Sequence, residues 1–223
     1  MPAAPAPRIV PPPAPCDDLR FRALLPPGDW LRLPPAVRRR FSKRLTGLAT
    51  AVYRGEVLET RMSRLGWCLA QAARLIGGPL PVTRDAHVPA VVTVTEDARG
   101  GGQFWTRQYG RARGFPQVIH SSKRFSGPTG LEEYVGCGIG MALTIHVEDG
   151  ALLFRCAHYF IALGGCRVRL PSALTPGALT VSHAACDDGR FIFGLELAHP
   201  RFGELIRQTA VFQDALQLPG EAG

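Results

Sequence analysis

The chain has 223 residues, 46% of them hydrophobic, enough for one substantial core without requiring a second domain. Its formal charge is +8, yet only two of its 26 basic residues, Lys43 and Lys123, are lysines. The one dense basic run, Val37 to Arg44, is short and reads as a solvated helix face, so nucleic acid is not the expected partner.

The segment MPAAPAPRIVPPPAP holds seven prolines and few side chains able to build a core, so residues 1–16 read as a disordered or polyproline tail. It contains no apolar run of signal-peptide length, and no segment approaches a membrane span. Six cysteines lie scattered with neither a C-x-x-C pair nor Cys/His ligand spacing. They imply reduced thiols, a cytoplasmic location and no metal site.

From Asp17 the composition changes. Asp17 or Asp18 is placed to cap a short helix, and LPPAVRRRFSKRL offers a second that begins at a proline. Val52 to Val57 alternates as a first strand. Arg64 to Ile76 carries Leu65, Leu69, Ala72, Ala73 and Ile76 at helical spacing and stops at Gly77-Gly78.

Beyond Pro81 the apolar period becomes two. Strands are predicted near Val88–Glu96, Gln103–Tyr109, Gln117–Lys123, Leu131–Val135, Leu179–Cys186, Arg190–His199 and Glu204–Phe212, with a hairpin between Gly138 and Ile161. Turn signals RGGG, GPTG, EDG and DDG separate them. The expected fold is mainly β (α+β): a strongly bent antiparallel sheet or partial β-barrel of 8–9 strands, with an N-terminal helical lead-in and one covering helix. Residues 17–215 are expected to form one domain, and 216–223 a flexible tail.

Pairing the central hairpin about Asp149-Gly150, a type I′ signature, sets Leu143 against Cys156, Met141 against His158 and Gly140 against Tyr159. His158 and Cys156 then share the apolar face, and Tyr159 the more accessible one. Pairing a second hairpin about Asp188-Gly189 puts Ser182, Ala184 and Cys186 in the core. It places His183 opposite Gly194 and diagonal to Glu196 on the other face.

Several stretches taken in order, RALLPPGDWLRLPPAVRR, YRGE, ARLIGG, FWTRQYG, GLEE, EDGALLF, LP..LTP, DDGRF and P.FG.LI, resemble the bacterial domain-of-unknown-function family 4166 over about residues 20–213. The family is uncharacterised, so the resemblance implies no activity. It matches Trp105 and Arg107 to the family's tryptophan–arginine pair, and Glu133 to its acidic position. The family's frequent place behind a saccharopine-dehydrogenase-like module implies a nucleotide-dependent reductase as a partner.

These observations define the candidates. Trp105 and Arg107, two apart on one strand, form an aromatic and cationic wall, joined by Tyr159, His183 and Glu196 as ligand-binding residues. Glu133, His158 and His120 are the acid/base candidates, and an inward Glu133 requires Arg107 or a histidine as partner. No P-loop, G-x-S-x-G or H-E-x-x-H occurs, and no cofactor is expected. Two functions remain open: a module binding a small apolar or amphiphilic molecule, and a cofactor-independent enzyme of isomerase or cyclase type. A docking module beside a reductase is a third.

Overall fold

A computed structural model of the chain describes residues 17–215, so the expected tails at 1–16 and 216–223 lie outside the described residues. Three short helices lead in: α1 (Arg20–Ala23), α2 (Asp29–Arg32) and α3 (Pro35–Phe41). Strand β1 (Ala51–Met62) follows, then α4 (Arg64–Ala73), continued by a 3-10 turn, Arg74–Ile76. The remaining strands are β2 (Val88–Asp97), β3 (Gly102–Tyr109), β4 (Gln117–Arg124), β5 (Glu132–Gly136), β6 (Ile139–Glu148), β7 (Ala151–Leu163), β8 (Cys166–Arg169), β9 (Ala178–Ala185), β10 (Phe191–His199) and β11 (Gly203–Asp214).

The strands are antiparallel, and ten of them close into a barrel in the order β1-β2-β3-β4-β5-β6-β7-β9-β10-β11, with β11 returning to β1. Strand β8 lies outside and pairs with β7. The sheet expected as open or partial, with 8–9 strands, is therefore closed, because β6 bonds β7, which in turn bonds β9. Closure removes the exposed edges of a bent sheet.

The strand directions define two barrel ends. At one, the lead-in inserts Phe21, Leu33, Val37 and Phe41, with Phe21 and Phe41 against Phe154 at ring distances of 6.0 and 5.6 Å. Helix α3 starts at Pro35, as its sequence predicts. Leu19, not Asp18, holds the N-cap position of α1, but the buried Asp18 carboxylate still accepts from the Arg20 backbone amide at the helix start as well as from its guanidinium. The basic run is not wholly solvated either, because Arg40 is buried with its guanidinium 3.5 Å from the Phe191 ring centre.

At the other end α4 packs Ala70 and Ala73 against Met62, Leu197 and Ile206. Ser63 caps this helix by accepting from the Gly66 amide. Gly66 lets the helix touch β11, since a Cβ there would overlap the Leu205 carbonyl oxygen. Among the described residues no helix is long and apolar enough to cross a membrane.

Two registers differ from those predicted. In the β6–β7 hairpin Asp149 and Gly150 take φ of 48° and 74°, and pairing holds as far as Leu143 with Cys156. There Ala157 bulges out, after which Ala142 opposes His158 and Met141 opposes Tyr159. One extra residue exchanges the two faces, so His158 turns outward and Tyr159 inward. In the β9–β10 hairpin the loop is Asp187–Gly189, closed by the Cys186 amide donating to the Arg190 carbonyl at 2.8 Å. A three-residue loop replaces the two-residue one, so His183 opposes Phe193 and points into the barrel, while Gly194 opposes Ser182.

Candidate functional site

Three neighbouring strands build a charged group inside the barrel. Alternation on β3 turns Trp105 and Arg107 inward, on β4 Ser121 and Lys123, and on β5 Glu133. Lys123 pairs directly with Glu133 across the ladder, and its Nζ lies 2.8 Å from Glu133 Oε2. Arg107 Nη2 reaches Glu133 Oε1 at 3.4 Å, and its Nη1 reaches Ser121 Oγ at 3.4 Å. Lys123, 2% exposed, also sits over the rings of Trp105 and Phe154 at 5.1 and 5.5 Å.

Burial alone would raise the Glu133 pKa, but the charges of Lys123 and Arg107 and hydrogen bonds from Lys123 and Ser121 outweigh it and hold the group at about 2. Burial lowers the Lys123 pKa against the attraction of Glu133. His183 is pushed well below its ordinary value by burial and then by Arg40, Lys123 and Arg107, which keeps it neutral. It lies among Phe41, Phe154, Phe191 and Phe193 at ring distances of 5.1 to 6.2 Å.

Above this group, under α4, lies a cavity of about 450 Å³. Leu69 and Ile76 wall it from the helical side, and Ile119, Phe193 and Leu195 from the barrel. Arg107, Ser121, Glu133 and Tyr159, with His120 and Thr175, supply its polar lining. In the β3–β4 ladder Arg107 lies opposite Ile119, and its guanidinium reaches past it to Ser121, one inward step further along β4, and to Glu133, so the charged groups form a floor beneath apolar walls. The 3-10 turn Ser172–Leu174 borders the open side. Burial pushes the Cys156 thiol up to about 11, and burial beside that thiol raises the Tyr159 hydroxyl as well.

The candidate residues do not all converge. Trp105, Arg107, Glu133, Tyr159 and His183 point inward. His120 borders the cavity, but its exposed side chain lies on the outer face of β4 beside Thr106, at 3.1 Å. His158 faces a larger outer groove of about 830 Å³ that also takes in Arg169, His199 and Arg201. Glu196 is exposed and pairs with Arg207 at 3.5 Å, so it shares no face with His183. Lys123, the partner Glu133 needed, is absent from the predicted set. Its sequence signal is that of the second lysine in an arginine-rich chain, two residues from Ser121 on one strand face.

Among the described residues no three His, Cys, Asp or Glu side chains gather as a metal site would need, and the five cysteines there are free thiols. The family model described as Domain of unknown function (DUF4166) matches residues 33–212. The chain belongs to this family. No curated protein matches it.

In this DUF4166 chain the ionic group has a pH signature. Glu133 has a folded pKa of about 2 against an ordinary 4.5, so its contribution to stability is complete above about pH 4.5 and is lost as pH falls toward 2. Asp18 and Asp97 are also held low and add to the same acid slope. Glu133→Gln should therefore flatten, without abolishing, the loss of unfolding free energy between pH 4.5 and 2. Urea titrations across that window measure it; an unchanged slope would show that Glu133 is not held low.

Proposed function

We propose that residues 17–215 form one binding module for a hydrophobic or lipid-like small molecule, held in the cavity under α4. The observation that carries this reading is the cavity's construction: about 450 Å³ of mainly apolar wall over a single charged floor. Small-molecule sites share this form, roughly 300–1,000 Å³ of apolar lining with a few fixed polar groups. The closed barrel supplies rigid walls, and α4 covers one mouth.

The acid/base alternative fits less well. It draws on Glu133, His158 or His120 as acid/base in the cavity, but His158 faces the outer groove, and His120, at the cavity's border, has its exposed side chain on the outer face of β4. Glu133, held near 2, is a poor proton acceptor at neutral pH. Its chemistry suits the fixing of charge rather than the transfer of a proton.

Dodecanol, an uncharged apolar probe, is expected to form a saturable one-to-one adduct with the purified chain in native mass spectrometry. Complete absence of that adduct at every dodecanol concentration up to its solubility limit would refute the reading.

A further inference from the structure

The charges lining the floor do not balance. Arg107 and Lys123 bring two cations and Glu133 one carboxylate, while His183 is neutral. Lys123 takes the short contact with Glu133, at 2.8 Å. Arg107 is left with two polar contacts of 3.4 Å each, beyond the ordinary length of an N–H···O bond, and a distant place over the Phe193 ring at 5.9 Å, although it is only 9% exposed. Arg40, buried toward the opposite end, adds to the positive potential and not to its compensation. A buried charge without a full partner is strongly disfavoured, and a guanidinium offers five donors in a planar fork suited to a carboxylate.

Of the two cations, Arg107 is the one that borders the cavity; Lys123 sits behind it over Trp105 and Phe154. The space in front of Arg107 is walled by Ile119, Phe193, Leu195 and Leu69. A free inorganic anion would satisfy the guanidinium and leave those walls unfilled.

We propose that the module selects an anionic amphiphile, a carboxylate on an apolar chain or ring system, with its head on Arg107 and its body along the apolar walls under α4. This deepens the binding reading and rests on it. The bound carboxylate brings the floor to two cations and two anions, with Glu133 held by Lys123 and the ligand head by Arg107.

The test is displacement of a neutral apolar dye, Nile red, by dodecanoate, dodecanol and dodecylamine at neutral pH and below micelle formation. Dodecanoate is expected to displace the dye at a concentration at least about tenfold lower than dodecanol, the size of one charge-assisted hydrogen-bonded contact, and dodecylamine is expected to be the weakest. Arg107→Gln should erase the preference, so that acid and alcohol displace the dye at similar concentrations, and Arg107→Lys should keep part of it. The Gln variant retains the balanced Lys123–Glu133 pair, and the three-ligand comparison in the unaltered protein needs no variant. Equal displacement by acid and alcohol, tightest binding of the amine, or a preference that persists in Arg107→Gln would overturn the proposal. If neither Nile red nor any of the three ligands binds, the binding reading fails with it; if the alcohol binds as well as the acid, only the head-group assignment fails.

Discussion

Glu133→Gln is expected to destabilise the fold by about 3–5 kcal/mol, the cost of breaking a buried ion pair by removing one partner. The variant leaves Lys123, 2% exposed, and Arg107, 9% exposed, as two cations facing each other inside the barrel. Lys123→Met should cost less, because it leaves Arg107 and Glu133 as a one-to-one pair and buries an apolar chain over Trp105 and Phe154, where the ammonium now lies. The ranking is the informative part. If the floor carries one cation in excess, loss of its carboxylate must hurt more than loss of a cation. Urea unfolding of the two variants beside the parent measures it; equal costs, or a larger cost for Lys123→Met, would mean that the charge excess is compensated by other means.

Gly66→Ala is expected to cost about 2 kcal/mol or more, at the upper range of overpacking because the obstructing atoms are main chain and cannot rotate away. The new Cβ would overlap the Leu205 carbonyl oxygen and crowd the Ile206 side chain, at the place where α4 rests on β11. The helix must lift, and with it Leu69 and Ile76, which wall the cavity. Thermal unfolding and apolar-dye uptake should therefore both change in this one variant, whereas alanine at the exposed, unobstructed Gly101 should change neither through packing. That glycine has a φ of 67°, so its substitution carries backbone strain alone and separates the two effects. A Gly66→Ala protein with unaltered stability would show that α4 is not held at this distance.

Alternation made much of the barrel legible. The period of two on β3 put Trp105 and Arg107 on one face, and the Asp149-Gly150 turn set the register of the longest hairpin as far as Cys156. The register then failed at Ala157, because a bulge adds one residue without changing composition. It failed at Asp187–Gly189 because DDG serves a three-residue loop as readily as a two-residue one. Each slip exchanged the faces of a histidine: His158 left the interior and His183 entered it.

Closure was not legible, since it depends on pairings such as β1 with β11 and β7 with β9, between strands far apart in the chain. The ionic floor was hidden for another reason, because Lys123 and Glu133 lie on consecutive strands whose register the loop between them does not announce. Nothing local to Glu133 points to Lys123; only the β4–β5 ladder brings them together. The lead-in hid Arg40 for a related reason, since its place over Phe191 depends on how α3 docks on the barrel.

The proposed binding module needs the space under α4 to be a ligand site. The direct measurement is a native mass spectrometry titration with dodecanol, run on the unaltered chain and on Leu69→Trp, whose larger side chain projects from α4 into the cavity. The predicted result is a saturable one-to-one adduct in the parent that the folded variant loses. An adduct of equal strength in both proteins, or none in either, would contradict it.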